Sequence, residues 1–320
     1  MTAGSSPDDH LPTATLDMLR QRAQLLRQLR NFFDGRDFIE VETPLVSHDT
    51  VVDRHLAPIA VTVNDSAMWL QTSPEFGMKR LLVAGATSIY QLTRAFRDQE
   101  RGHLHNPEFT ILEWYRVGDS LEEGMCLLEA LATQMLGVSK TERLTYQNAF
   151  LRYANIDPLA ASTQEIVARC RQLPNVPQLG DDRDSWLNFL LAEVVEPNLG
   201  TGCPTVLYHY PSSQAALARV TQGDHPVAER FELYVRGIEV ANGYHELCDP
   251  DELLRRTQRT NRQRVQDAQD ALPEDNRLLH AMRAGLPPCT GVALGVDRLL
   301  MLKAGCTDIT EVLTFPFARA

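Results

Sequence analysis

The chain has 320 residues, of which 43% are hydrophobic and 23% charged, a composition that is ordinary for a soluble globular enzyme. Its net charge of −11 argues against broad electrostatic binding to nucleic acid, because such binding needs basic surface that displaces counterions. No apolar run approaches the ~20 residues that span a bilayer. The polar N-terminus also lacks the basic and apolar regions of a signal peptide. The six cysteines form no C-x-x-C pair, which predicts reduced structural thiols without zinc, and we expect a cytoplasmic protein that does not bind a membrane.

The N-terminal third of the chain begins with polar residues that have little apolar surface to bury. Residues 1–15 are rich in Gly, Ser, Pro, Asp and Thr, which predicts a disordered arm ahead of one catalytic domain over residues 16–320. From Leu16 to about Phe33 the apolar residues have the spacing of an amphipathic helix that should end at Gly35. The alternating run FIEVETPLV, residues 38–46, predicts a strand closed by Pro44.

The remaining elements alternate between helices and strands. Helices are predicted at 75–85, at 120–138 with a capping box of Ser120 and Glu123, at 184–200 and at 251–272. Strands are predicted around 94–115, 205–211 and 230–247, and a glycine-punctuated turn that runs into a helix at 291–302. Connected antiparallel strands with helices between them predict an α+β fold with a mixed, mostly antiparallel sheet and flanking helices.

The segment RAFRDQERGHLHNPEFTILEWY, residues 94–115, reads as two strands joined by a charged loop. Side chains alternate faces along a strand, so Phe109, Glu113 and Tyr115 should share one face, and Arg97 a face of the preceding strand. If these faces coincide, the arginine suits a phosphate, the ring suits a purine, and the carboxylate with the phenol suits an ammonium. A buried Glu113 needs a cationic partner, either a ligand or a structural Arg or Lys. The hairpin could therefore hold ATP beside a small amino acid.

Two further segments carry candidate residues. In RGIEVANGYHEL, residues 236–247, Glu239 and Glu246 would face opposite ways on a regular strand, but a bulge at Gly243 could align them. Two carboxylates beside a triphosphate suit Mg²⁺, and an edge strand with ordinary charges is the alternative. In GVALGVDRLLML, residues 291–302, Arg298 opposes the dipole of the helix it begins, which indicates either a nearby anion or a side chain in solvent.

Together these segments resemble the three signature motifs of the class II aminoacyl-tRNA synthetases. FIEVETPLV resembles motif 1, the dimer-forming strand; FRDQE through HNPEF resembles motif 2, with His105 and Phe109 in its second half; and GVALGVDRL resembles motif 3. NPEFTILEWY, SPEFGMKRLL and GIEVANGYHEL are most similar to lysyl-tRNA synthetases. The resemblance implies a class II catalytic domain that uses ATP and Mg²⁺ and forms a homodimer.

Three features depart from the lysyl-tRNA synthetase pattern. Motif 1 begins near residue 38, which leaves no room for an anticodon-binding barrel, and Ala293 stands where motif 3 usually has glycine. Gln99 replaces the glutamate of F-R-x-E, although its carbonyl can still accept a hydrogen bond from an adenine amino group. With its short N-terminus, TSPEFGMKRLL and NGYHEL, the chain is similar nearly end to end to the elongation factor P lysine ligase family. That resemblance implies activation of (R)-β-lysine with ATP and its transfer to the ε-amino group of one lysine of elongation factor P, without stable tRNA binding.

The resemblance also implies roles for individual residues. Arg97 and Arg298 would be catalytic and grip the α- and γ-phosphates, while Phe109 would stack on adenine. The rest of the ATP site would comprise Asp98, Gln99, Asn106, Glu239, Val240 and Gly295. The amino-acid site would comprise Ser73, Pro74, Glu75, Glu113, Tyr115, Glu246 and Ala293. Glu239 and Glu246 would also hold the metal.

Three other functions stay open on the sequence. A truncated lysyl-tRNA synthetase-like enzyme would adenylate α-lysine and charge tRNA, and the missing barrel and the charge of −11 count against it. An ammonia-using asparagine synthetase of the same fold would need a cation for its aspartate, whereas Glu113 and Tyr115 favour an ammonium. A non-catalytic paralogue that senses ATP or an amino acid would have no need of the whole set Arg97, Phe109, Glu239, Glu246 and Arg298. Both α-lysine and β-lysine remain open as the amino acid.

Overall fold

The computed structural model describes residues 10–320. Its helices are α1 (Leu16–Asp34), α2 (Glu75–Val83), α3 (Leu121–Leu136), α4 (Tyr146–Ala149), α5 (Thr163–Cys170), α6 (Arg183–Leu190), α7 (Pro250–Gln266), α8 (Arg277–Gly285) and α9 (Val296–Ala304). Its strands are β1 (Ile39–Glu40), β2 (Val46–Ser47), β3 (Ala60–Val63), β4 (Ser66–Leu70), β5 (Ser88–Phe96), β6 (Glu108–Val117), β7 (Glu142–Thr145), β8 (Thr205–Pro211), β9 (Val227–Val235), β10 (Ile238–His245) and β11 (Cys289–Gly295). Short π-helical turns at Phe150–Ala154 and Leu191–Val195 extend α4 and α6. None of the described helices has the length and apolar composition to cross a bilayer.

The chain divides into two compact units. The first comprises the chain up to Val117 together with Cys248–Pro287 and Ala293–Ala320, and the second comprises Gly118–Leu247 and Pro288–Val292. In the first unit β1 pairs with β5 in parallel and β5 with β6 antiparallel, while β2, β4 and β3 form a small antiparallel sheet. In the second unit β10, β9 and β8 pair antiparallel and β8 pairs with β7 in parallel. The predominance of antiparallel pairing with helices between the strands agrees with the predicted fold class.

Several predicted elements have their expected bounds because their local signals are strong. The buried side of α1 carries Leu25, Leu29 and Phe33, and the helix ends at Gly35 as predicted. The capping box is present, since the Ser120 hydroxyl accepts the Glu123 N–H and the glutamate carboxylate accepts the Ser120 N–H.

The predicted helix at 251–272 ends early, at Gln266. Ala268 has φ of 59°, which no α-helix continues through. The side chain of Asn261 then donates to the Leu272 carbonyl at 2.8 Å and accepts the Leu272 N–H at 2.9 Å. These bonds fold the segment after the helix back against it.

Two predicted elements are wrong in part. Of the predicted strand 38–46, only Ile39 and Glu40 pair with β5, and the Val41 N–H adds one bond to the Tyr90 carbonyl at 2.9 Å, while Val46 belongs to β2 of the small sheet. The chain then leaves β5, as expected near Pro44, which has no N–H to donate. The predicted glycine turn at 291–302 begins as strand β11 and becomes helical only at Val296.

Ordered structure begins before α1. The Thr13 N–H donates to the Thr314 carbonyl at 3.0 Å, its hydroxyl donates to the Leu313 carbonyl at 2.7 Å, and Ala14 is buried. The predicted disordered arm of residues 1–15 is therefore too long at its C-terminal end. Hydrogen bonds to the Leu313 and Thr314 carbonyls hold this end in place, although the segment has few apolar side chains. Residues 1–9 of that arm lie outside the described residues.

An aromatic cluster fixes α1 against the β5–β6 hairpin. The Phe33 ring stacks on Tyr90 with centroids 4.8 Å apart and lies 5.2 Å from Trp114. Tyr90 and Trp114 are directly paired across the two strands and are fully buried. Because faces alternate along a strand, the neighbouring pair Gln91 and Glu113 lies on the face turned away from this cluster.

The second unit has its own core and a tight hairpin. Arg236 and Gly237, with φ of 52° and 75°, form the two-residue turn between β9 and β10, as left-handed pairs do in hairpins. One side of this sheet packs against an apolar cluster that includes Tyr146, Phe150, Trp186, Leu187, Leu190 and Tyr210.

A buried ion pair ties three elements of the first unit together. Arg22 of α1 donates from Nη1 to Asp297 Oδ1 at 2.7 Å and from Nη2 to Thr110 Oγ1 at 3.1 Å. The other carboxylate oxygen of Asp297 accepts the Thr110 N–H at 2.7 Å. The side chain of Asp297 is 2% exposed and that of Arg22 is 13% exposed. The pair therefore connects α1, strand β6 and the first turn of α9.

Replacing Arg22 with alanine should lower the free energy of unfolding by about 3–5 kcal/mol, because a buried carboxylate then loses its cation. Urea denaturation at neutral pH measures the change. The matched control is Arg20→Ala on an exposed position of the same helix, which should change stability by less than about 0.5 kcal/mol. Equal effects of the two substitutions would contradict a structural role for the ion pair.

Candidate active site

The register of the β5–β6 hairpin brings the predicted face together. Gln91 lies directly opposite Glu113, Ala95 opposite Phe109, and Ile89 opposite Tyr115. Directly paired residues of antiparallel strands point to the same side of the sheet. The expectation that the two faces coincide is therefore confirmed for these pairs.

At one end of this face Arg97 lies over the Phe109 ring. The guanidinium carbon is 4.9 Å from the ring centroid, and Nη1 is 3.5 Å from Oε1 of Glu100. The Nε atom of Arg97 is buried and has no hydrogen-bond partner among the described residues. A buried donor without an acceptor is destabilising, so an anionic oxygen from a ligand would satisfy it.

Arg298, the arginine of the third motif, contacts the second half of the hairpin loop. Its Nη2 atom lies 2.7 Å from Nε2 of His105, and its Nε donates to the Leu104 carbonyl at 3.3 Å. Burial, and then the nearby Arg298 guanidinium, lower the pKa of His105, so the ring accepts this bond in its neutral form. Gly295 is the residue that caps α9, and both it and Ala293 are half-buried. Arg298 is half-buried as well, so it does not extend freely into solvent.

The loop between the strands holds the other predicted ATP residues. The Asp98 N–H donates to the Ala57 carbonyl at 2.8 Å, and its carboxylate accepts the Gln99 N–H at 2.9 Å. Gln99 is exposed at a left-handed turn with φ of 62°. Asn106 is buried, accepts the Phe317 N–H at 2.9 Å and donates to the Glu108 carbonyl at 2.6 Å. The amide of Asn106 therefore fixes the shape of this loop.

At the other end of the face lies a buried charge cluster, formed by Glu75, Lys79, Glu113, Ser73 and Tyr115. Glu113 is 2% exposed and accepts the Ser73 and Tyr115 hydroxyls, each at 2.6 Å. Lys79 is also 2% exposed, and its Nζ lies 2.5 Å from Oε1 of Glu75. A structural lysine is thus present, and it pairs with Glu75.

The electrostatics of this cluster favour one more cation. Burial, and then the charge of Glu75, raise the pKa of Glu113 to about 7, while the two hydroxyls and Lys79 act in the opposite direction. Two carboxylates share one lysine, so the cluster carries a net negative charge when both are ionised. An ammonium beside Glu113 would balance it. Pro74 and Glu75 place these groups by starting helix α2, and the Glu75 N–H donates to the Ser73 hydroxyl at 3.1 Å.

In the second unit a bulge aligns the predicted carboxylates. Glu239 pairs with Tyr234 and Ala241 with Leu233, so Val240 is one extra residue in β10. The extra residue shifts the alternation by one position, which puts Glu239 on the face that continues to Glu246. The alignment was expected, but its predicted position at Gly243 is wrong.

Gly243 has a different role in this strand. It pairs regularly with Phe231, and a Cβ at this position would lie 2.5 Å from the Phe231 ring. Glycine is therefore required here for packing, while Val240, 2% exposed, is the bulged residue.

A further carboxylate on this face, Glu232, was missed by the sequence analysis. It pairs with Asn242, is 4% exposed, and accepts the Tyr234 hydroxyl at 2.6 Å as well as bonds from Tyr210 and Arg230. Its signal was a single glutamate inside the otherwise apolar run FELYV, residues 231–235, the same kind of signal that singled out Glu113.

Mg²⁺ is usually bound by one or two carboxylates together with phosphate oxygens. Glu239 and Glu246 share a face but lie near opposite ends of β10, roughly 20 Å apart at about 3.3 Å per residue, so these two carboxylates do not fit a single ion. Within residues 10–320 no group of three or more His, Cys, Asp or Glu side chains is arranged to hold a metal by itself.

Comparisons with known proteins match nearly the whole chain. The model of the family described as tRNA synthetases class II (D, K and N) matches residues 11–319. The chain belongs to this family. It is 45% identical over 317 residues to a protein of Yersinia enterocolitica serotype O:8 / biotype 1B named elongation factor P–(R)-β-lysine ligase, which covers 97% of this chain and 98% of that protein. It is 46% identical over 320 residues to a protein of the same name from Vibrio cholerae serotype O1, covering 98% and 99%.

Membership of the class II synthetase family confirms the predicted fold class. The family match over residues 11–319 includes every candidate site residue. The individual roles of those residues remain predictions.

The raised pKa of Glu113 predicts a pH-dependent stability. Because this pKa is about 7 in the folded protein and near 4.5 when unfolded, the folded state binds more protons between these values. Below about pH 4.5 the carboxyl is protonated in both states and costs no stability. The free energy of unfolding therefore falls as pH rises from about 5 to 7, because the folded protein must then hold a buried carboxylate. Glu113→Gln cannot ionise, and its stability relative to wild type should increase between pH 5 and pH 8 in urea denaturation.

The control for this prediction is Glu193→Gln at an exposed position of the second unit, which should show the wild-type pH dependence. If Glu113→Gln also follows the wild-type curve, the carboxyl is not held protonated by its surroundings.

Proposed function

We propose that this protein activates (R)-β-lysine with ATP as an aminoacyl-adenylate and transfers it to the ε-amino group of a lysine of elongation factor P. The protein is an ATP-dependent ligase of the class II synthetase family. The observation that carries the proposal is the shared face of the hairpin, where Glu113 and Tyr115 lie on the same side as Phe109. The names of the Yersinia and Vibrio relatives support the amino acid and the acceptor protein.

In the proposed complex the hairpin holds the amino acid by its distal ammonium. Glu113, ionised and hydrogen-bonded to Tyr115, accepts that ammonium, which supplies the positive charge that the cluster with Glu75 and Lys79 lacks. Ser73 orients the Glu113 carboxylate by donating to its other oxygen. Glu75, held by Lys79, is assigned to the amino group nearer the substrate carboxylate.

The other end of the face is assigned to ATP. Phe109 stacks on adenine, Arg97 grips the α-phosphate through its unsatisfied Nε, and Arg298 binds the γ-phosphate. Mg²⁺ would offset the charge of the phosphate oxygens, and Glu239 is the carboxylate that we assign to it.

The first step needs alignment rather than a protein nucleophile. A carboxylate oxygen of the amino acid attacks the α-phosphorus, the bond to the bridging oxygen breaks, and pyrophosphate leaves with that electron pair. Arg97 stabilises the negative charge that develops on the α-phosphate oxygens. Orientation of two bound reactants can supply about 7–11 kcal/mol of the barrier reduction.

In the second step the ε-amine of the acceptor lysine attacks the carbonyl carbon of the adenylate. An amide bond forms, the bond to the phosphate oxygen breaks, and AMP leaves. The amine must first lose its proton, because a lysine ammonium has an ordinary pKa of about 10.4.

We also propose that the protein is a homodimer in the cytoplasm and forms no stable complex with tRNA. The short strand β1 lies at the edge of its sheet, and its Ile39 side chain is 62% exposed, which supports pairing of two copies through the first motif. The six free thiols support a reducing compartment, and the charge of −11 disfavours tRNA. Sedimentation should give twice 35.9 kDa, and a monomer would contradict the dimer.

Pyrophosphate exchange followed by acceptor transfer tests the function. We expect exchange with (R)-β-lysine to exceed that with α-lysine, exchange with aspartate to be absent, and elongation factor P rather than tRNA to accept the product. Arg97→Gln should lower exchange by about 10²–10³-fold, because one donor to the developing charge is lost. The matched control, Arg94→Gln on an exposed position of β5, should retain wild-type exchange.

The alternatives give different results in the same assay. Exchange with α-lysine followed by transfer only to tRNA would identify a truncated synthetase. Binding of ATP or an amino acid without exchange of pyrophosphate would identify a non-catalytic paralogue.

The affinity for the amino acid should depend on pH through Glu113. Its pKa of about 7 must fall when an ammonium binds, so binding releases a proton and the dissociation constant should decrease from pH 6 to pH 8. Calorimetric titration in buffers of different ionisation enthalpy measures the released proton. Glu113→Gln should bind weakly and release none, and proton release that persists in this variant would place the titrating group elsewhere.

A further inference from the structure

Helix α7 carries an arginine stripe, defined here as Arg255, Arg259 and Arg262. These residues are spaced by four and three positions and therefore lie on one side of the helix. All three are exposed, whereas Leu253, Thr257, Asn261 and Arg264 on the opposite side are buried. The stripe extends over roughly 10 Å at the helical rise of about 1.5 Å per residue.

The stripe is available to a partner. Arg259 and Arg262 make no ion pair or hydrogen bond with any other described residue, and only Arg255 has an acidic neighbour, with Nε 2.9 Å from Glu252. An interaction with these two side chains would break no existing pair. A basic surface is unusual in a chain with a net charge of −11, and it points to an anionic partner.

The charge pattern along α7 favours a protein over a nucleic acid. The helix begins with Asp249 as its cap and Asp251 and Glu252 in its first turn, so negative charges precede the stripe. A polyanion of uniform charge would be repelled by that end, and three arginines neutralise few phosphates. An acidic patch on a folded protein can match the stripe and avoid the acidic end.

Contacts within the first unit connect α7 to the proposed ATP loop. Arg264 donates to the carbonyls of Asp53 and Leu56 at 2.7 Å and 3.2 Å. The next residue, Ala57, accepts the N–H of Asp98, which follows Arg97 in the hairpin loop, at 2.8 Å. The helix that bears the stripe is thus two contacts away from a residue assigned to ATP.

We propose that the arginine stripe is a docking surface for an acidic patch of the acceptor protein. The inference rests on the proposed function and adds the surface that brings the acceptor lysine to the adenylate. The stripe acts on the encounter with the acceptor, not on activation of the amino acid, because none of its residues belongs to the hairpin face.

The test compares wild type with the triple variant Arg255→Gln/Arg259→Gln/Arg262→Gln, since glutamine removes the charge and retains good helix propensity. The dissociation constant for unmodified elongation factor P and the KM for it in the transfer assay should both rise about tenfold. Pyrophosphate exchange and kcat of transfer should be unchanged. The salt dependence of transfer should also become shallower than in wild type.

A second triple variant, Arg20→Gln/Lys140→Gln/Arg171→Gln, changes the net charge equally at exposed positions elsewhere and should bind and transfer as wild type does. Equal losses in the two variants would overturn the proposal, as would a stripe variant that loses pyrophosphate exchange. Loss of tRNA binding alone would assign the stripe to nucleic acid, and a change in oligomeric state would assign it to a second copy of the chain. The binding measurement does not depend on catalysis, so it decides the docking question even if wild type fails to activate lysine.

Discussion

The pairing register of β5 with β6 is the constraint on which the candidate site depends. It places Glu113, Phe109 and Tyr115 on one side of the hairpin and Trp114 on the other. A slip of one residue would exchange the two sides, so the charged groups would meet the aromatic core formed with Phe33. The packing of Tyr90 and Trp114 against α1 therefore specifies the register, and the site is a consequence of that hydrophobic contact.

The same hairpin separates two kinds of charge. Around Glu113 the groups are buried and share a single lysine, so that end is short of a cation. Around Arg97 and Arg298 the groups are guanidinium ions, one of which has a donor without an acceptor, so that end is short of an anion. The distal ammonium of an amino acid would complement the first end, and the phosphates of ATP would complement the second. The charge of the strand pair is thus negative at one end and positive at the other.

What could be predicted from the sequence follows the range of the interactions involved. The Ser120 cap, helix α1 and the hairpin depend on neighbours within a few residues or on simple alternation, and each was predicted. The bulge was expected but misplaced, because Gly243 is explained by its packing against Phe231, a contact that only the folded strands create.

Other features depend on residues far apart in the chain. The pair of Arg22 with Asp297 joins positions 275 residues apart, and no local pattern in the sequence identifies either residue as the partner of the other. The partner of Glu75 was within reach at i+4, yet Lys79 is identifiable only once its burial is known. The two-residue length of β1 is likewise set by the point at which the chain diverges from β5. The alternation of apolar and polar residues does not predict that point.

The bulge at Val240 has an evolutionary consequence. Since the extra residue sets the phase between Glu239 and Glu246, the spacing of these carboxylates is under a stricter constraint than the identity of the residues between them. Substitution of the bulged residue by another apolar side chain preserves that phase, whereas a deletion or insertion of one residue inverts it. We therefore expect homologous proteins to differ in this segment by substitutions and not by insertions or deletions.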